Sequence, residues 1–418
     1  MWRSLRQSPM RWLFGVAFAM CGVFIGYSIY VEFVGLQHIH FLHYDYAFFY
    51  YAFQTVWHHT HITQLYDMSR QKLALSYRHF PITPYNQYVY PPQFAVFWAW
   101  LGLLPFNISA NVWFVISLLL YVVGLYLLWK TVSIRMGIQG SMIAVLFLTT
   151  LMPFVIDLSV GNVNSILFAC IAITYYLLYH RKSAWAGVPL GLAIVFKVTP
   201  IAILAYLIMR KKWKASLMAM ITVGLLSLIT ELFVGVGAIR YYLLHFVSFG
   251  TTSMKNGPAP YNESLLGIMG LLQKHHILTW SNLQQHDIFY GFIAVMLMIV
   301  FYVVLRTKEN IALDIGLSSL ALLLFSPLVE GMHLLFLVPA LLAMMSDLTV
   351  RRSSGLLWFL LFVILAFLSM PATLVINVLT NHLPDGFLLQ TYMFWILLGT
   401  LMIVLQRLIK KQPRIRRG

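Results

Sequence analysis

Ala184–Lys214 reads AWAGVPLGLAIVFKVTPIAILAYLIMRKKWK, and the way it divides sets the topology of everything after it. As one helix it crosses a membrane once; as two it returns to the side it left. Lys197 and Pro200 stand near its middle. A lysine at the centre of an isolated span costs at least about 2.5–3.5 kcal/mol. A proline inside a helix removes a hydrogen bond and clashes with the preceding turn. The stretch is therefore read as two short helices, Ala184–Phe196 and Pro200–Met209. At 1.5 Å per residue neither crosses about 30 Å of hydrocarbon. They are expected to meet in a cavity, where irregular backbone is tolerated.

The pattern of apolar runs between basic clusters extends outward in both directions. The chain is 61 % hydrophobic and 10 % charged, against about 25 % charged in a soluble domain. Its apolar runs are continuous rather than alternating, so helices, not a barrel, satisfy the backbone in lipid. The net charge of +16 gathers in Arg181–Lys182, Arg210/Lys211/Lys212/Lys214, Arg306/Lys308, Arg351–Arg352 and Arg407 onward. Such small, separated clusters mark cytoplasmic loops and exclude nucleic-acid binding. Cys21 and Cys170 lie in apolar runs and read as packing residues. The N-terminal run from Trp12 to Val31 is too long for a signal peptide and reads as an uncleaved span.

One arrangement puts every basic cluster on the cytoplasmic side. It is an all-α polytopic membrane protein of about twelve spans with both termini cytoplasmic, a single integral membrane domain over residues 1–418. The expected spans are Arg11–Phe33, Ser109–Trp129, Gln139–Ile156, Asn162–Tyr179, Ala184–Phe196, Pro200–Met209 and Ala215–Gly235. Asp287–Leu305, Ile311–Leu328, Met332–Ser346, Ser354–Ile376 and Gln390–Ile409 complete the set. Pro92–Leu104 is too short to cross and reads as a juxtamembrane helix. The long extracytoplasmic loops are residues 34–108 and 236–286, so chemistry should face outward.

In that topology the unusual polar residues converge on the outer face: Asp45, Asp157, Gly161–Asn164 (GNVN), Lys197, Tyr261–Ser264 (YNES), Glu330 and His333. Intramembrane ionisable groups usually line a cavity or pathway. Asp45 is either a base at the membrane face or a cap for a helix beginning at Tyr46. Lys197 is recessed enough to meet a lipid-linked phosphate, or else it snorkels to the interface. His333 suits donation to a phosphate or a leaving oxygen, or a structural place. Glu330 reads as the partner of a cavity cation or as an end-cap. Asn262 reads as a helix N-cap with Glu263 in the first turn, and helix N-termini also bind phosphate. The asparagines of GNVN either pack a helix start or bind a sugar hydroxyl. His38, His40, His43, His58, His59 and His61 come without any HExxH or Cys/His framework, so no metal is expected. No P-loop or Rossmann glycine motif stands in a plausible context, so a soluble nucleotide donor is not indicated.

Several of these pieces occur in a recognisable order. They are YDYAFFYY around Asp45, LYD at Leu65–Asp67, YPPQFAVFWAWLGLLPF from Tyr90, and GNVNSILFA. AGVPLGLAIVFKVTP with its basic RKKWKA, YNESLLG and SPLVEGMH follow. Together they resemble the GT-C superfamily of membrane glycosyltransferases, nearest to glycosyltransferase family 87, the polyprenol-phosphate-mannose-dependent mannosyltransferases. The resemblance covers roughly Leu42–Pro339. GNVN departs from the family's usual glutamine, and Glu263 stands where glutamine is common.

The resemblance implies a GT-C-like fold and inverting transfer of a sugar, mannose, from a polyprenyl-phosphate donor to an extracytoplasmic lipid or glycan acceptor. It implies a bacterial inner (plasma) membrane location with the active site facing outward, membrane lipids as surroundings, and neither cofactor nor metal. Asp45 becomes the general base, and Lys197 and His333 hold the donor phosphate. Tyr44, Tyr90, Asn162, Asn164, Asn262 and Glu330 become substrate contacts. A polytopic secondary transporter or flippase of lipid-linked sugars is the alternative. It predicts matching halves and sites near the midplane, whereas here the polar residues cluster at one face.

Overall fold

The computed structural model describes residues 42–58, 61–80, 87–132, 151–245, 262–274, 276–350 and 392–409, with scattered helical positions between 23 and 37. All regular structure among them is helical, with no strand. In chain order the helices are α1 (Tyr44–Trp57), α2 (Ile62–Leu65), α3 (Met68–Ser76), α4 (Pro92–Trp98), α5 (Phe106–Val132), α6 (Leu151–Val160) and α7 (Asn164–Tyr179). Then come α8 (Ser183–Phe196), α9 (Ile201–Met209), α10 (Trp213–Val234), α11 (Leu265–Lys274) and α12 (Asn282–Arg306). Last are α13 (Ile311–Leu324), α14 (Val338–Val350) and α15 (Tyr392–Ile409). Tight 3-10 turns at Ala99–Leu103 and Gly331–Leu337 follow α4 and precede α14.

Phe106–Thr131, Trp213–Val234 and Leu283–Arg306 are long and apolar enough to cross a membrane. Their outer faces carry exposed Val122, Tyr126, Leu225, Leu232, Met298 and Tyr302. A helix apolar all round whose outer face finds no protein partner belongs in lipid. The protein is an integral membrane protein. Most of Arg11–Phe33, residues 139–150 of the expected third span, the whole of Ser354–Ile376 and both termini lie outside the described residues.

Several boundaries differ from expectation for local reasons. The helix after the undescribed segment runs past Ile156 to Val160, so Asp157 is helical. Helix α12 starts at Asn282, ahead of Asp287, because Ser281 and Gln284 form a reciprocal capping box. Helix α13 stops at Leu324, and the expected tenth span opens as a 3-10 turn before α14. Pro92–Leu104 is one short helix and its 3-10 continuation, as its length requires.

The break at Lys197–Pro200 is present. Lys197 is extended, with φ −152° and ψ 133°, and Pro200 begins the next helix. Pro200 has no N–H to donate to the Phe196 carbonyl and cannot continue α8, so the break falls here and not a turn later. Helix α8 packs directly on α10 through small residues. A Cβ on Gly187 would collide with the Ala215 carbonyl, and one on Gly191 would lie 2.5 Å from Thr222 Cβ. Such small-residue faces let helix backbones approach closely in lipid. The pairing of 187 with 215 and 191 with 222 makes α8 and α10 parallel, so α9 runs back between them. Arg181–Lys182 and Arg210–Lys214 therefore share one end of the bundle, and Lys197 stands at the other.

Candidate active site

The site end is built by docking α1 onto the turn between α6 and α7. His43 N–H donates to Ser159 O at 2.8 Å, and the Tyr46 and Ser109 hydroxyls meet at 2.6 Å. Gly161 takes φ 73°, and a Cβ there would lie 2.7 Å from Tyr46 Cβ, so only glycine fits. Trp113 Nε1–H holds the Gly161 carbonyl at 3.0 Å. Around this joint Phe49 packs edge-on to Phe94 with centroids 5.0 Å apart, and Tyr46 lies 5.5 Å from Trp113.

That docking sets Asp45 beside Asn162. The helix begins at Tyr44 with His43 at its N-cap position, so Asp45 is not a cap for a helix starting at Tyr46. Its Oδ2 accepts from Asn162 Nδ2 at 2.7 Å. The Asn162 amide has only one sense available, because Oδ1 accepts from Val163 N–H at 2.7 Å and from the Tyr90 hydroxyl at 3.3 Å. Asn162 thus presents its N–H to the carboxylate, and Tyr90 joins the site through it.

Asn164 is turned the opposite way. Asp157 Oδ1 accepts from Asn164 N–H at 3.2 Å and from Asn164 Nδ2 at 3.0 Å, which leaves Asn164 Oδ1 to accept from Lys197 Nζ at 3.2 Å. Lys197 Nζ also sits 5.7 Å from the centroid of the Tyr90 ring and 2.9 Å from His333 Nε2. Glu330 N–H donates to His333 Nδ1 at 2.9 Å. A backbone N–H can only donate, so the ring proton is assigned to Nε2. With Lys197 as an ammonium, two donors therefore face each other, a contact that an anion between them would relieve. A cavity of about 20 Å³ lies against Lys197 and His333, with Thr199, Ser326 and Phe336 in its wall. It has room for about one water, so a larger group must part the two side chains.

Burial pushes Asp45 up to about 6, opposed chiefly by the Asn162 hydrogen bond, which favours the ionised form. Asp45 is half-buried. Glu330 is raised to about 7 by burial and by the nearby Asp45. Among the described residues Glu330 makes no ion pair with Lys197; its backbone orients His333 instead.

Asn262 is placed differently from expectation. Helix α11 starts at Leu265, too far on for Asn262 to cap. Its Nδ2 donates to Pro327 O at 3.0 Å, and its Oδ1 accepts from Ser264 N–H at 3.0 Å and Val329 N–H at 3.1 Å. Ser264 Oγ takes the capping position, accepting from Gly267 N–H at 3.3 Å. Asn262 is a clasp on the loop at Pro327–Val329 that leads into Glu330 and the 3-10 turn holding His333. Glu263, beside it, is buried with Oε2 unpartnered, and burial raises it to about 8. Tyr44 packs edge-on to Phe48 and Phe80, at 5.4 and 6.0 Å, in an aromatic group beside the site.

Of the first-loop histidines, His61 caps α2 by accepting from Thr63 N–H, and His58 is exposed. His38, His40 and His59 lie outside the described residues. Asp157 is the residue whose importance the sequence understated. Its signal was present, a carboxylate ahead of an N-x-N-S helix start, but its four contacts are visible only in three dimensions.

A sequence model of glycosyltransferase family 87 matches residues 88–327, more than half of the chain. The chain belongs to glycosyltransferase family 87. Among curated proteins and among solved structures, nothing matches it. The family match takes in Tyr90, Asn162, Asn164, Lys197 and Asn262. Asp45, Glu330 and His333 fall outside it, and the fold brings them to the matched residues. As a family 87 chain the protein is a glycosyltransferase, and it acts on a sugar donor and an acceptor.

Proposed function

We propose that this glycosyltransferase moves a sugar, mannose, from a polyprenyl-phosphate donor to a hydroxyl of a lipid or glycan acceptor on the extracytoplasmic face. The observation that carries the reading is the opposed pair of amides in GNVN. One points a donor at a lone carboxylate, and the other points an acceptor at a recessed cation. A transferase with a phosphate leaving group needs both ends.

Asp45 takes the proton from the acceptor hydroxyl as that oxygen attacks the anomeric carbon from the face opposite the phosphate. The bond between the anomeric carbon and the phosphate oxygen breaks, configuration inverts, and the electron pair leaves with the lipid phosphate. A positioned general base contributes about 10²–10⁴-fold. Lys197 and His333 Nε2–H offset charge on the departing phosphate. A monophosphate leaving group met by these two donors asks for no metal. Glu330 and Tyr90 are assigned to the sugar in this reading. A lipid-anchored donor accounts for a site recessed at membrane level, which a soluble nucleotide sugar would not require.

The test incubates purified protein in lipid nanodiscs with a panel of polyprenyl-phosphate sugars and measures release of polyprenyl phosphate. Release with the mannose donor, and its loss in Asp45→Asn, is the expected result. No release with any donor overturns the polyprenyl-phosphate reading.

A further inference from the structure

The surface of the basic end carries more cations than carboxylates to match them. Two turns there share one backbone geometry. Arg181 and Lys211 take the left-handed position, with φ 60° and 57°. Lys182 and Lys212 follow at the N-cap positions of α8 and α10. Lys212 Nζ lies 2.7 Å from Glu309 Oε1, and Arg210 Nη1 donates to Thr307 O at 2.9 Å. Those contacts bring the end of α12 alongside, with Arg306 and Lys308, so the three turns form one surface.

The described carboxylates of α13, α14 and the loop between α12 and α13 are already taken. Asp314 is held by Arg210, Asp347 by Arg407 and Glu309 by Lys212. Arg181, Lys182, Lys211, Lys214, Arg306 and Lys308 are exposed, with no carboxylate in ion-pair distance among the described residues. Neither α8 nor α10 has an acidic residue in its first turn or a side-chain cap. Cations at that end of a helix oppose its dipole, so the isolated fold gains nothing from them.

The height of the surface names its partner. Helix α10 begins a membrane-length helix at Trp213, and α12 ends one at Arg306. Their ends therefore stand at the level where a bilayer places its phosphates. Trp185 and Trp213 are 66 % and 60 % exposed beside the cations, and tryptophan favours the headgroup level. We propose that this end is a docking surface for anionic phospholipid, whose phosphate rests across the turns of α8, α10 and α12. Basic clusters beside a span recognise anionic headgroups, with a gain from each cation. This role goes beyond marking topology, which is complete once the chain is inserted, and it persists in the folded protein.

Native mass spectrometry of the full chain in neutral detergent, titrated with short-chain phosphatidylglycerol or phosphatidylcholine, reads the preference. The parent should favour phosphatidylglycerol. Lys211→Gln with Lys214→Gln should lower that affinity about 30-fold, the scale for two basic side chains near an anionic headgroup. Phosphatidylcholine binding should not change. Lys72→Gln with Arg240→Gln removes the same charge elsewhere in the protein and should bind as the parent does. Arg181→Gln with Lys308→Gln probes the same surface from its other turns, should the first pair insert poorly, and a similar loss is expected. Inorganic phosphate at the same concentration should displace little lipid, because it has no acyl chains to anchor it.

No preference in the parent, an equal loss in the Lys72 and Arg240 control, or parent-like binding by the surface pairs would each overturn the proposal. Full displacement by inorganic phosphate would also overturn it, since a free anion would then suffice.

Discussion

Two buried polar clusters sit at opposite ends of the same bundle, and they differ in how completely their charges are matched. At the basic end, Arg210 Nη2 pairs with Asp314 Oδ1 at 2.7 Å, and both side chains are almost wholly buried. Its other nitrogens reach Tyr206 Oη, Val304 O and Thr307 O, while Tyr206 O–H and Asn310 N–H donate to Asp314. At the site end, Lys197 has no carboxylate within ion-pair distance among the described residues. Asp45 is held by a neutral amide, and Glu263 Oε2 is buried without a partner. A satisfied cluster joins α9 to α13 and to the end of α12. An unsatisfied one keeps its donors and acceptors for something that arrives.

The comparison breaks most visibly at Asp45. Asp45→Asn should lower transfer about 10²–10⁴-fold while polyprenyl-phosphate binding, measured by titration, stays intact; retained turnover removes Asp45 from the mechanism. Next in size is Asp314→Ala at the other end, which strands a buried guanidinium. It should destabilise by about 3–5 kcal/mol, read as a lower Tm, with the donor KM of the folded fraction unchanged. A donor KM that rises with it would mean the two ends are coupled.

Lys197→Ala should weaken donor binding about 10- to 100-fold, the range for a hydrogen bond from a charged donor to phosphate. Acceptor KM should move much less, and equal changes would favour a structural lysine. The smallest effect is in pH. Asp45 must be ionised to act as a base, so kcat/KM should fall as pH drops through about 6. Asn162→Leu removes a bond that favours the ionised form, so the acidic limb should move to higher pH, by about one unit or less. A limb that stays put would mean the amide does not tune the carboxylate.

Much of this was legible in the chain. The break between α8 and α9 follows from a lysine and a proline in an apolar run. The short α4 follows from the length of Pro92–Leu104, and the shared end of the basic clusters from charge placement. Lys197, His333, Glu330, Tyr90 and both asparagines of GNVN stand out in the sequence, and the fold brings them together. The role of Asn262 was not legible, because asparagine before an apolar run is ambiguous: the same amide caps a helix or clasps a neighbouring loop. Only a partner distant in sequence, Val329, distinguishes the two.

The sequence by itself determined the solvent and the class. Hydrophobic runs and their breaks are local properties, and lipid admits few backbone solutions for them. It also determined that charge would be scarce and that each exception needed a reason. The tertiary structure decided which exceptions belong together and what each one offers. Asn162 and Asn164 are one residue type in one short motif, yet one presents a donor to Asp45 and the other an acceptor to Lys197. That difference comes from Val163, Tyr90 and Asp157, and no spacing rule encodes it, because an amide's sense is set by whatever occupies its other face.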